Sequence, residues 1–178
     1  FRSEDLIFGE FNQTEVEICD FSAFNMELRE KTVKSLGIKN FQGILFKATF
    51  PKELVHWVYV CDKKEAGLRK EGEIALMDNP SFNRYFDVFT EDQILARYAL
   101  SPKLMERFCG LKEKFNCPIS MVLRDREVII AVNLGKNSFE PSFEKSLLED
   151  NTIRDYISSI KGFTDMVKEL GLNNHIWK

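Results

Sequence analysis

The chain has 178 residues and a formal charge of −3. That length suits one domain, large enough to bury about 70% of its unfolded surface without staples, and the charge supplies no general attraction to nucleic acid or anionic lipid. Sixteen Phe against two Trp and four Tyr describe a hydrocarbon core more than an aromatic recognition face.

In chain order, Val16 and Ile18 alternate with Glu15 and Glu17, which predicts an early strand with one wet face. Phe21 to Gly37 is poorly patterned. Asn25 is placed to cap a short helix carrying Met26 to Leu36, ended by Gly37. Ile44, Phe46, Ala48 and Phe50 line one face of a strand, with Lys47 and Thr49 opposite and Pro51 as its stop. Val55 to Val60 is apolar on both faces and reads as a central strand. Asp62 to Gly72 is charged and reads as loop or a helical turn.

Asn79-Pro80 offers a polar cap followed by proline at the first helical position, where its missing N–H costs nothing. A single turn over Ser81 to Arg84 leads into a strand over Tyr85 to Phe89, aromatic and β-branched. Thr90 with Gln93 matches a capping box. Ser101-Pro102 repeats the cap-then-proline signal, followed by Leu104, Phe108, Leu111 and Phe115 at helical spacing, so two short helices meet near Leu100. Ile119 to Leu123 and Val128 to Leu134 flank Asp125-Arg126 as a hairpin, although no glycine marks its turn.

The closing helix has Thr152 and Asp155 as a capping box. Ile153, Tyr156, Ile157, Ile160, Phe163, Val167 and Leu170 form its apolar stripe, and Gly171 is its stop. Gly162 inside it costs up to about 1 kcal/mol against alanine, which points to close packing there. The expectation is a single soluble α+β domain over residues 1–178, with an antiparallel sheet of six to seven strands. A two-helix insertion precedes the hairpin, and one helix closes the domain.

Four cysteines, Cys19, Cys61, Cys109 and Cys117, are widely spread with no metal-ligand spacing, and are expected as free thiols in a reducing compartment. His56 and His175 have no partner at ligand spacing, so no metal is expected, and His56 reads as a hydrogen-bonded core or edge residue. Phosphate-cradling and nucleophile-elbow motifs are missing, so no cofactor and no catalytic residue are assigned.

One polar constellation stands out: Asp92, Gln93, Arg97 and Tyr98. On a helix Gln93 and Arg97 share a face, and Asp92 lies near its edge, so an arginine fork beside a carboxylate could receive an anionic ligand or a partner's acidic side chain. The same residues also fit a structural role, with Asp92 at the helix N-terminus and Arg97 tying the helix to a loop. Trp177, after Leu172 and Ile176, either tucks back onto the core or forms a docking tip.

Three blocks stand out first: Phe41-Gln42-Gly43-Ile44-Leu45-Phe46, Leu76-Met77-Asp78-Asn79-Pro80-Ser81-Phe82 and Phe86-Asp87-Val88-Phe89-Thr90-Glu91-Asp92-Gln93. Ala96-Arg97-Tyr98-Ala99-Leu100-Ser101-Pro102, Leu104-Met105-Glu106-Arg107, Ile130-Ala131-Val132, Phe139-Glu140-Pro141 and Leu172-Asn173-Asn174-His175-Ile176-Trp177 follow in order. In this order the blocks resemble a known bacterial family, the domain of unknown function 3137. The resemblance implies hydrophobic segments upstream of the domain, anchoring the parent protein in the inner membrane. The missing initiator methionine agrees with a piece of a longer protein.

The resulting expectation is a non-catalytic interaction or scaffolding domain on the cytoplasmic side. It would have an unidentified protein partner, no nucleic acid, a membrane reached through segments outside this chain, and an open oligomeric state. The alternatives are an enzyme using carboxylates with Arg97 in a cleft, and a module that binds a ligand or lipid headgroup.

Overall fold

The computed structural model describes residues 2–11, 14–24, 40–50, 53–65, 72–136 and 152–172. Eight strands form one sheet: β1 (Arg2–Phe11), β2 (Thr14–Phe24), β3 (Asn40–Thr49), β4 (Val58–Asp62), β5 (Glu73–Ala75), β6 (Phe86–Thr90), β7 (Ile119–Arg124) and β8 (Glu127–Asn133). Their order is β1-β2-β3-β8-β7-β4-β6-β5, and every neighbouring pair is antiparallel. Four α-helices accompany them among the described residues: α1 (Pro80–Tyr85), α2 (Gln93–Ala99), α3 (Pro102–Phe115) and α4 (Thr152–Leu172).

The sheet has eight strands against the six to seven expected, and β1 and β5 are the two that no sequence pattern marked. The apolar run of β1, Leu6, Ile7 and Phe8, is exposed throughout, so it lacks the alternation that a one-sided strand writes into its sequence. β5 has three residues, too few to establish a period. The central strand begins at Val58, not Val55. Leu54 N–H instead donates to Asp125 O at 2.5 Å and Phe50 N–H to Arg126 O at 2.8 Å, so the β7–β8 turn holds the preceding segment outside the sheet. Asp125 makes that turn without glycine by adopting φ +54°, a conformation that Asp tolerates better than most residues.

Local caps behave as their chemistry requires. Asn79 accepts Phe82 N–H at 3.0 Å and Ser101 accepts Leu104 N–H at 3.2 Å, each followed by the proline that opens α1 and α3. The Thr90 capping box does not form. Thr90 is the buried last residue of β6, paired to Val58 and Glu73, and its hydroxyl donates to Trp57 O at 2.9 Å. Asp92 caps α2 in its place, since an ionised carboxylate is the stronger acceptor for orphan amides.

The helices share one side of the sheet. Phe82 of α1 and Phe108 of α3 pack on Phe86 of β6, and Phe163 of α4 stacks on Phe46 of β3 at 4.9 Å. Among the described side chains of α4 the buried ones are Phe163, Met166 and Val167, while Ile157 is 62% exposed and so does not lie on the packing face. Gly162 meets α3 closely: a Cβ there would lie 2.8 Å from Leu111 Cδ2. The helix passes Gly171 by one residue, to Leu172. The expected helix over Met26 to Leu36 lies outside the described residues, apart from β2 extending through Phe24; so do the Thr152–Asp155 side chains and Trp177.

The opposite face carries a cross-strand row in register: Ile74, Phe89, Tyr59, Val122 and Ile129, then Lys47. All but the exposed Ile74 are half-buried. Lys47 lies 3.2 Å from Glu127 and 3.4 Å from Glu17. Partial burial works against its charge, but the two carboxylates outweigh that and raise its pKa.

Candidate interaction surface

Of the residues singled out in the sequence, Asp92, Gln93, Arg97 and Tyr98 all lie on or at the start of α2. Asp92 Oδ1 accepts Ile94 N–H at 2.9 Å and Leu95 N–H at 3.0 Å, so its carboxylate is committed to the helix end. Gln93 and Arg97 project into solvent, and Tyr98 is 55% exposed. Among the described residues Arg97 makes no hydrogen bond or ion pair, so the expected tie to a neighbouring loop is not formed there. Asp92 and Arg97 are not brought together as an anion fork.

What the fold adds is a pair of apolar residues, one in β5 and one just past its end. Leu95, Ala96 and Ala99 are buried, which seats α2 against β5 and β6 and turns Ile94, Arg97 and Tyr98 outward. From β5 onward the chain alternates. Ala75 and Met77 face the core, whereas Ile74 is 55% and Leu76 is 71% exposed. With Ile94 at 68% and Tyr98 at 55% exposure, four large side chains stand exposed at the β5 end of the sheet.

β5 is also the last strand of the sheet on this side, so its outer backbone edge has no neighbour among the described residues. Apolar groups therefore stand on both sides of an open edge: Ile94 and Tyr98 on the helix side, Ile74 and Leu76 on the other. Single exposed apolar residues are ordinary, but a cluster of them at an open sheet edge marks a contact surface. Sequence reasoning missed Ile74 and Leu76 because only the sheet order puts them at an edge beside α2.

A second feature missed in the sequence is a buried ion pair. Lys112 Nζ lies 2.5 Å from Asp62 Oδ2, with side chains 5% and 1% exposed. Lys112 also donates to Cys117 O at 2.8 Å, and Asp62 accepts Ile119 N–H at 3.1 Å and Lys64 N–H at 2.9 Å. Its one sequence signal is a lysine four residues after Phe108, on the apolar stripe of α3.

The pair joins the end of β4, the end of α3 and the start of β7. Burial pushes the Cys117 thiol up to about 11, and the Asp62 and Glu65 carboxylates reinforce this against Lys112 and Lys64. Cys109 is also raised to about 11, by burial and then by Glu113 and Glu106. All four cysteines are free thiols, Cys109 buried and the others half-buried. A thiol held this far above neutrality is a poor nucleophile.

His56 is at the sheet's margin, half-exposed, with Nδ1 3.6 Å from Glu91 Oε2. No cluster of three or more His, Cys, Asp or Glu that could hold a metal exists among the described residues. No helix among them is long and apolar enough to cross a membrane.

A comparison with curated proteins finds no match. Among solved structures, the chain is similar to the mycobacterial trehalose monomycolate transport factor A. That likeness covers 93% of this chain and 72% of the other at 10% identity, with a TM-score of 0.52, and it concerns the fold. The family described as "Protein of unknown function (DUF3137)" matches residues 39–172, a span that runs from β3 to the end of α4 and takes in α2 and β5. The chain belongs to that family.

Proposed function

We propose that this domain is a non-catalytic protein-interaction module whose docking surface is the α2–β5 corner, in a protein anchored to the inner membrane with this domain on the cytoplasmic side. The observation that carries the reading is the exposed group Ile74, Leu76, Ile94 and Tyr98 around an open sheet edge. Such a corner gains by contact with another protein, because each large apolar side chain withdrawn from water contributes roughly 1.5–3 kcal/mol. The catalytic reading has less support, since Asp92 is spent on a helix cap and Arg97 faces solvent instead of a carboxylate-lined cleft. The membrane location rests on the family resemblance alone.

The test is co-purification of the full-length protein with its crosslinked partners, comparing wild type with the double variant Leu76→Glu/Ile94→Glu. Both side chains are exposed, so the melting temperature should stay within about 2 °C of wild type. The partner recovered with the wild type should be lost from the variant. Undiminished recovery by the folded variant would move the docking surface elsewhere.

A further inference from the structure

The two edges of the sheet are built differently. At β1 the register shifts between Glu4 and Ile7, and Asp5 sits at φ +54°. A bulge with acidic residues around it is a device that discourages an added strand, even though Leu6, Ile7 and Phe8 are exposed there. β5 pairs with β6 residue for residue, Glu73 with Thr90, Ile74 with Phe89 and Ala75 with Val88, without a register shift. Its outer edge has no neighbour among the described residues, is short and regular, and carries exposed apolar side chains on both sheet faces.

An extended segment laid along that edge satisfies the outward backbone groups of β5. Its alternate side chains then fall to opposite faces, one set beside Ile74 and Leu76 and the other beside Ile94 and Tyr98. A helix in the same place would cover the apolar groups but leave the edge unpaired. Arg97 stands three residues from Ile94 on the exposed side of α2 and has no ionic partner among the described residues. A guanidinium in that position favours a carboxylate on the incoming segment.

We infer that the partner docks by β-augmentation: an extended peptide with apolar residues at alternate positions and a nearby Asp or Glu adds to β5 as a ninth strand. This rests on the docking surface proposed above and specifies what fills it.

The experiment places photoreactive p-benzoylphenylalanine, one position at a time, at Ile74, Leu76 and Ile94 of the full-length protein in its own cells, with Phe8 and Ile157 as comparison sites. Crosslinked peptides are identified by mass spectrometry, and backbone amide exchange of β5 is measured in the purified complex. The expected result is one partner segment with alternating apolar residues, captured from all three corner positions, and exchange across Glu73–Leu76 slowed about tenfold or more. Replacing Arg97→Glu should weaken retention of that segment by about tenfold, the loss of one close charge pair.

Crosslinks at the corner with unchanged β5 exchange, or to a segment of helical periodicity, would overturn strand addition while leaving the docking surface in place. Crosslinks confined to Phe8 or Ile157, or none at the corner, would overturn both. Unchanged retention by Arg97→Glu would remove the acidic contact from the proposal.

Discussion

An ammonium and a carboxylate taken out of water depend on each other, and Asp62 and Lys112 are not equal partners in that dependence. Asp62 keeps two backbone amide donors, Ile119 and Lys64, whatever happens to the lysine. Lys112 without Asp62 retains only the Cys117 carbonyl among the described residues. Leaving a buried charge uncompensated costs about 3–5 kcal/mol. Asp62→Ala should therefore fall in that range, while Lys112→Met, which fits an apolar stripe, should cost clearly less. Urea unfolding of the two variants measures this, and the reverse order would show that the amides do not support the carboxylate. This pair was not legible beforehand: Asp62 sits at the end of a strand and Lys112 on a helix fifty residues later, and only the tertiary fold makes them meet.

At the scale of elements, signals confined to a few consecutive residues were readable, and those set by pairing were not. Asn79-Pro80 and Ser101-Pro102 contain their whole reason for starting a helix within four residues. Thr90 has the same local credentials, but β6 claims it, because its backbone pairs with β4 and β5 and its hydroxyl holds Trp57. Gly43 joins the two kinds of evidence. It lies in the Phe41–Phe46 block and faces Asn133 across the β3–β8 pairing. Its φ is +156°, and a Cβ there would come to 2.2 Å from Val132 O and 2.8 Å from Leu134 N. Those are backbone atoms of β8 and of the residue just past its end, which cannot move aside as a side-chain tip can. Gly43→Ala should cost more than about 3 kcal/mol and separate β3 from β8 at that point. A loss under about 1 kcal/mol in chemical denaturation would mean that the strands reposition freely.

At the scale of the whole molecule, the helical layer and the sheet are not coextensive. α1, α3 and α4 pack over the strands from β3 to β6, and the family match begins at residue 39, just before β3. β1 lies at the far edge, bonded among the described residues to β2 alone, with Leu6, Ile7 and Phe8 exposed at 58%, 46% and 80%. The buried residues paired with it, Thr14, Ile18 and Asp20, belong to β2, and Phe11 at the end of β1 packs against the core. Removing residues 1–10 therefore withdraws backbone hydrogen bonds but, among the described side chains, nothing that is buried. The shortened chain should fold with a stability loss below about 2 kcal/mol and a nearly unchanged denaturant slope, since that slope tracks the surface exposed on unfolding. Removing β2 as well should be far more costly, because Ile18 leaves the core and Ile44 and Phe46 lose the strand beside them. Denaturation curves of the two truncations separate these cases. Collapse on loss of residues 1–10 alone would mean that β1 carries a share of the core that its exposure does not show. Survival with intact binding at the α2–β5 corner would separate the two ends of the sheet by role, one dispensable for the core and the other available to a partner.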